Sequence, residues 1–172
     1  MPAPLLVIAI GNESRGDDAL GPLLLRRLQQ EVADTTVEFI EEFQLQVENS
    51  LDLQGRTLVL FLDAGKNTAS PFSFYPAKPR RMEGHTSHAI APEELLGVYA
   101  AVTGEVPPPA YVLCVAGESF ELGEALSEAA TRHLEAAAGF ATPLLKNPTP
   151  EFWGSPLQAP QFTKAANSTH FQ

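Results

Sequence analysis

The chain has 172 residues, 44% apolar and 19% charged, the composition of a single globular domain. Its 11 Lys and Arg stand against 21 Asp and Glu, a formal net charge of −10, and so acidic a surface repels phosphate backbones and excludes nucleic acid as the expected partner. The apolar runs Leu5 to Ile10 and Leu58 to Leu62 are far shorter than the roughly 20 residues of a membrane helix, Met1 to Pro4 show no basic start of a signal peptide, and a lone Cys114 excludes a disulfide framework or a cysteine-rich zinc site; a cytoplasmic domain with no membrane partner is expected.

In chain order, Leu5–Ile10 reads as a strand covered on both faces, because its apolar run is continuous. Leu20, Leu24, Leu28 and Val32 follow at helical spacing, with Arg26, Arg27, Gln29 and Gln30 between them. Val37–Glu42 alternates and reads as a strand nearer an edge. A short helix is expected over Val47–Leu53, and a buried strand over Thr57–Asp63. Residues 67–84 carry Pro71, Pro76, Pro79 and the basic run Lys78-Pro79-Arg80-Arg81; Phe72–Tyr75 reads as a short strand there, and the basic run as a solvated loop face. Pro92 opens a second helix, since proline suits a first turn. Tyr111–Ala116 is a further buried strand. Leu122, Leu126, Ala130, Leu134 and Ala137 make a third helical stripe, for which Gly139 is the expected C-cap. Strands alternating with helices imply parallel pairing and right-handed crossovers. The expected fold is an α/β class, three-layer α/β/α sandwich: a mostly parallel twisted sheet of about five strands with helices on both faces. Residues 1–142 form this domain, and 143–172 a proline-rich arm whose aromatic residues pack partly on it.

In such a sheet ligands gather beyond the carboxyl ends of the strands, and three polar sets fall there. Gly11-Asn12-Glu13-Ser14-Arg15-Gly16-Asp17-Asp18 follows the first strand. Pro22 puts the helix start near Ala19, so Asp17 or Asp18 also suits a plain N-cap, Asp17 above all. Asp63 ends an apolar strand in Leu62-Asp63-Ala64-Gly65, where burying it unpaired costs several kcal/mol; it needs a cation, a metal or backbone donors, an Asx turn being the plain alternative. His85-Thr86-Ser87-His88 precedes the Pro92 helix. One imidazole and two carboxylates on one rim suit a borderline divalent metal with open positions. The glycine loop lacks both a P-loop lysine and the Gly-x-Gly-x-x-Gly pattern, so neither a nucleotide nor another organic cofactor is expected. No nucleophile elbow surrounds Ser14 or Ser87, and Cys114 inside an apolar strand reads as inert packing. His133 and His170 are given no role.

Together these sets resemble the maturation endopeptidases of nickel–iron hydrogenases. The family's opening strand, Gly-Asn and acidic pair are matched by Ile10-Gly11-Asn12, Gly16-Asp17-Asp18 and Gly21. Its strand-ending Asp-Ala is matched by Asp63-Ala64, its pre-helical histidine by His88, and its last strand–helix turn by Glu118–Glu124. The resemblance implies a protease that removes a C-terminal extension from a hydrogenase large-subunit precursor once nickel is inserted. It implies Asp18, Asp63 and His88 as the catalytic and metal-coordinating trio, nickel being carried by the substrate. A monomer is expected. The chain departs from the pattern at Ser14, at Ala19 and in Glu42–Glu48, which stands where a glycine-rich segment is usual and borders the cleft. Two other classes fit the same rim: a metal-sensing assembly chaperone that cuts nothing, and a metal-dependent hydrolase of small molecules.

Overall fold

A computed structural model of the chain describes residues 1–83 and 89–155. It comprises β1 (Leu5–Ile10), α1 (Leu20–Glu31), β2 (Val37–Glu42), β3 (Leu58–Gly65), β4 (Phe72–Ala77), α2 (Pro92–Thr103), β5 (Ala110–Ala116), α3 (Glu128–Lys146) and α4 (Pro150–Trp153), with 3-10 segments over Gly16–Ala19 and Val47–Leu53. The strands form one sheet of five in the order β2-β1-β3-β5-β4. β2, β1, β3 and β5 run parallel, and β4 is antiparallel to β5. This is the expected sandwich.

The side chains of the central strands divide by the two-residue period. Leu5, Val7 and Ala9 of β1 and Leu58, Leu60 and Leu62 of β3 pack with α1 and α3. Leu6, Ile8, Val59 and Phe61 pack on the other face with Leu95, Leu96 and Tyr99 of α2 and with Leu53. Each such burial stabilises the fold by about 1.5–3 kcal/mol, which is why these runs are continuous and not alternating. The edges differ. β2 exposes Glu38 and Glu41, charges that discourage further pairing. β4 carries Pro76, whose missing N–H suits an outer strand. The run Lys78–Arg81 is exposed, as expected.

The third helix departs from its predicted limits. It begins at Glu128, capped by the Ser127 hydroxyl, and runs through Gly139 and Pro143 to Lys146. Gly139 is therefore mid-helix and caps nothing. Leu122 lies outside the helix and is 67% exposed. Burial explains the overrun: an interior proline costs about 3 kcal/mol, but Ala141, Leu144 and Leu145 beyond Gly139 are all buried, and they outweigh it. Among the described residues after it, Phe152 and Trp153 pack against the core. Trp153 of α4 is 2% exposed, meets Phe74 and Tyr111 edge-on, and donates its indole N–H to the Leu144 carbonyl at 2.8 Å. Among the described residues no helix is long and apolar enough to cross a membrane.

Candidate active site

The site is built where β1 and β3 end. After β1 the chain turns at Gly11, so tightly that a Cβ there would lie 2.1 Å from the Asp18 carbonyl oxygen. The loop then enters the 3-10 turn Gly16–Ala19 and α1. Gly21 is jammed onto the sheet: a Cβ would sit 2.4 Å from the Ile10 carbonyl oxygen and 3.0 Å from that of Leu62. A side chain at either position would push the helix start off the rim. The two glycines thus let α1 begin between β1 and β3, and this brings Asp18 to Asp63. Within the loop, Asn12 N–H donates to Asp18 Oδ2 at 2.8 Å, and Ser14 N–H donates to Asn12 Oδ1 at 2.9 Å.

Asp63 sits near the end of β3, beside Cys114 of β5. Strand alternation points it to the same face as Val59 and Phe61, the α2 face. Its Oδ1 accepts from the following Ala64 N–H at 2.8 Å, and no donor reaches Oδ2 among the described residues. Burial pushes its carboxyl up to about 7; the Ala64 N–H opposes this weakly, and the Asp18 charge adds to it. The Asp18 charge is the smallest of these three influences, and it puts Asp63 within the field of a second acidic group. Neither has a cationic side-chain partner among the described residues. A pair of this kind is relieved by a cation.

The third expected ligand, His88, lies outside the described residues, as does His85. The described chain resumes at Ala89, and Ile90 is buried in the cluster on the α2 face. Among the described residues, no group of three or more His, Cys, Asp and Glu could hold a metal ion. The resting carboxylate pair is thus two donors of oxygen type, an incomplete shell for a borderline metal. Cys114 adds no thiolate: burial pushes it up to about 11, against a lowering hydrogen bond from Thr68, while the Asp63 charge pushes it further up.

Asp17 does not cap α1, whose N-cap Ala19 makes no side-chain hydrogen bond. It is fully buried and turned toward the segment between β5 and α3. Its burial would raise the carboxyl, but hydrogen bonds from Ser127, Glu118 and Ser119 outweigh that and hold it below its ordinary value. Sequence reading grouped the two aspartates; the fold gives them different neighbours. His133 also has a place: Nδ1 is 2.7 Å from the Ala116 carbonyl oxygen and Nε2 3.0 Å from Ser70 Oγ, tying α3 to the β5 end and to the loop before β4.

Beside Gly11 a groove of about 220 Å³ opens between the ends of β1 and β2, lined by Glu13, Glu41, Glu42 and Phe43. Arg26 forks between Glu13 and Glu41 at 2.6 and 2.8 Å. Glu42 has no cationic partner among the described residues, and Phe43 is 77% exposed.

No protein-family model and no curated protein matches the chain. Solved structures do. The [NiFe] hydrogenase maturation protease HycI from Thermococcus kodakarensis KOD1 matches with a TM-score of 0.64 at 24% identity, over 84% of this chain and 94% of its own. The hydrogenase maturating endopeptidase HybD from E. coli matches with a TM-score of 0.65 at 22% identity, over 84% and 93%. The hydrogenase 2 maturation peptidase from a Thaumarchaeota archaeon matches with a TM-score of 0.56 at 25% identity, over 84% and 96%. The likeness read from the Gly-Asn loop, Asp-Asp and Asp-Ala thus extends to the whole architecture: this chain has the fold of the hydrogenase maturation proteases.

Proposed function

We propose that this chain is an endopeptidase that removes the C-terminal extension of a nickel–iron hydrogenase large-subunit precursor after nickel insertion. The observation that carries the reading is the Asp18–Asp63 pair, two carboxylates with no cationic side-chain partner among the described residues, at the rim of a fold shared with such peptidases. The nickel ion arrives with the precursor, and Asp18, Asp63 and His88 are its ligands on this chain. At rest near neutral pH, Asp63 keeps a proton much of the time. An arriving cation replaces that proton, so recognition of the metal releases it to water. Asn12 N–H keeps Asp18 Oδ2 oriented meanwhile. Metal seated among these groups polarises a carbonyl or lowers the pKa of a bound water, and docking holds the scissile peptide near it. The groove between Glu13, Glu42 and Phe43 suits an extended peptide leading away from the metal.

The test uses purified protein with nickel-loaded and nickel-free precursor, and reads the precursor's mass. Loss of a C-terminal peptide from the loaded form alone is the expected result. His88→Ala abolishes that loss while leaving the thermal midpoint within about 1–2 °C. Tight binding of the loaded precursor with no change of mass makes the protein a metal-sensing chaperone. Turnover of simple esters or phosphoesters without precursor processing makes it a small-molecule hydrolase.

A further inference from the structure

Among the described residues Asp17 is the one carboxylate that is fully buried, and it has no cationic partner there. Such a group survives only when several donors satisfy it. Four do, and all come from one segment. Ser127 N–H donates to Oδ1 at 2.8 Å. Glu118 N–H at 2.7 Å, Ser119 N–H at 3.3 Å and the Ser127 hydroxyl at 2.7 Å donate to Oδ2. The backbone adds to the seam: Asp17 N–H donates to the Ser119 carbonyl at 2.8 Å, and Gly123 N–H to that of Ser14 at 2.7 Å. Gly16 lies so close to this segment that a Cβ would be 2.6 Å from the Ser119 carbonyl oxygen.

Gly11 and Gly21 seat the start of α1 on the sheet, and the turn that carries Asp17 is tied on its other side to the 118–127 segment. It is a four-residue 3-10 segment without a side-chain cap, an element with poor hydrogen-bond geometry of its own. Asp18 is the next residue in that turn, and its direction follows from the turn's placement. We propose that Asp17 is a positioning residue: by anchoring the turn to the 118–127 segment, it aims the Asp18 carboxylate at Asn12 N–H and across to Asp63. The inference rests on Asp18 as a metal-recognising group, as argued above. The adjacent aspartates divide the work: one fixes the frame and the other meets the cation. A carboxylate is required at position 17 because donors converge on both of its oxygens. An amide of the same shape keeps one acceptor and turns an NH2 toward a donor.

The experiment compares the full chain with Asp17→Asn, Ser127→Ala and Leu145→Ala. Leu145 is a buried residue at the far end of α3, so Leu145→Ala destabilises the core without touching the rim. The Asn12 amide, which donates to Asp18 Oδ2, is followed by hydrogen exchange, and binding of nickel chloride alone by calorimetry. Asp17→Asn is expected to speed Asn12 exchange at least tenfold and weaken nickel binding at least tenfold. Ser127→Ala, which removes one of the four donors, moves both the same way by a smaller factor and keeps the test open where Asp17→Asn does not fold. Leu145→Ala leaves both near the parent values. Unchanged Asn12 exchange in folded Asp17→Asn, or in Ser127→Ala where Asp17→Asn does not fold, overturns the inference, as does an equal loss in Leu145→Ala. If the parent protein binds no free nickel, Asn12 exchange alone decides the positioning role, and precursor processing decides the functional reading separately.

Discussion

Asp63 is held at a cost. Its carboxyl has an ordinary value of 3.8 and is raised to about 7 in the folded chain. The folded state therefore keeps a proton that the unfolded state gives up between these values. By linkage, stability is intact below 3.8, falls as pH climbs through about 7, and then levels off. The Asp63→Asn variant has no such loss. It is expected to be more stable than the parent at pH 8, by an amount of the order of a few kcal/mol, read as a higher thermal midpoint, and equally stable at pH 4. The same substitution removes an oxygen donor, so nickel binding weakens while the fold gains. Thermal melts across pH 4–8 check this, and equal midpoints at pH 8 would remove Asp63 from its strained surroundings. A residue that destabilises the resting fold points to a use other than packing. Sequence made Asp63 legible for this reason: an acid closing an apolar strand has no packing role. It made Asp18 legible only as one of a pair. Which neighbour turns inward depends on Ser127, 110 residues away, and no local pattern reveals a partner at that distance.

α3 shows where local signals fail. Gly139 reads as the helix end and Pro143 as the start of the arm, and the helix passes through both. Gly139 is exposed, has no positive φ, and a Cβ there meets nothing within 4 Å. Glycine inside a helix is about 1 kcal/mol worse than alanine. Gly139→Ala is therefore expected to raise the thermal midpoint by about 2–4 °C, with processing unchanged. A drop would restore Gly139 as a left-handed cap, where alanine is strained. The strands were easier to read. A run apolar at every position is a strand buried on both faces, and β1, β3 and β5 kept their predicted places within two residues. β2 alternates because it is an edge, its Glu38 exposed and paired with the buried side chain of Arg56, which precedes β3. The stripe from Leu122 misled because it continues the α3 period into a loop. Asp17 draws Glu118, Ser119 and Ser127 to itself, and a backbone donating there is not available to extend a helix N-terminally.

At the scale of the molecule, charge decides how a partner is met. The chain carries a formal −10, and several of its arginines are already committed: Arg26 to Glu13 and Glu41, Arg27 to Glu31 and Glu135, Arg56 to Glu38. The groove beside Gly11 keeps Glu42 uncommitted next to the exposed Phe43. A field of this sign concentrates cationic peptide segments at the rim and repels acidic ones. Its reach is set by salt, about 10 Å at 0.1 M and about 3 Å at 1 M. Contacts between Asp18, Asp63 and a seated cation are shorter than that and partly shielded from water, so salt touches them little. Docking and chemistry should then separate. KM for the precursor is expected to rise several-fold between about 0.05 and 0.5 M salt, while kcat stays constant. Glu42→Lys at low salt should raise KM in the same way and again spare kcat. A KM indifferent to both salt and Glu42→Lys would move precursor docking away from the groove, leaving the metal pair as the sole point of recognition. A kcat that falls with salt instead would mean that the field acts on the reacting centre and not on the approach to it.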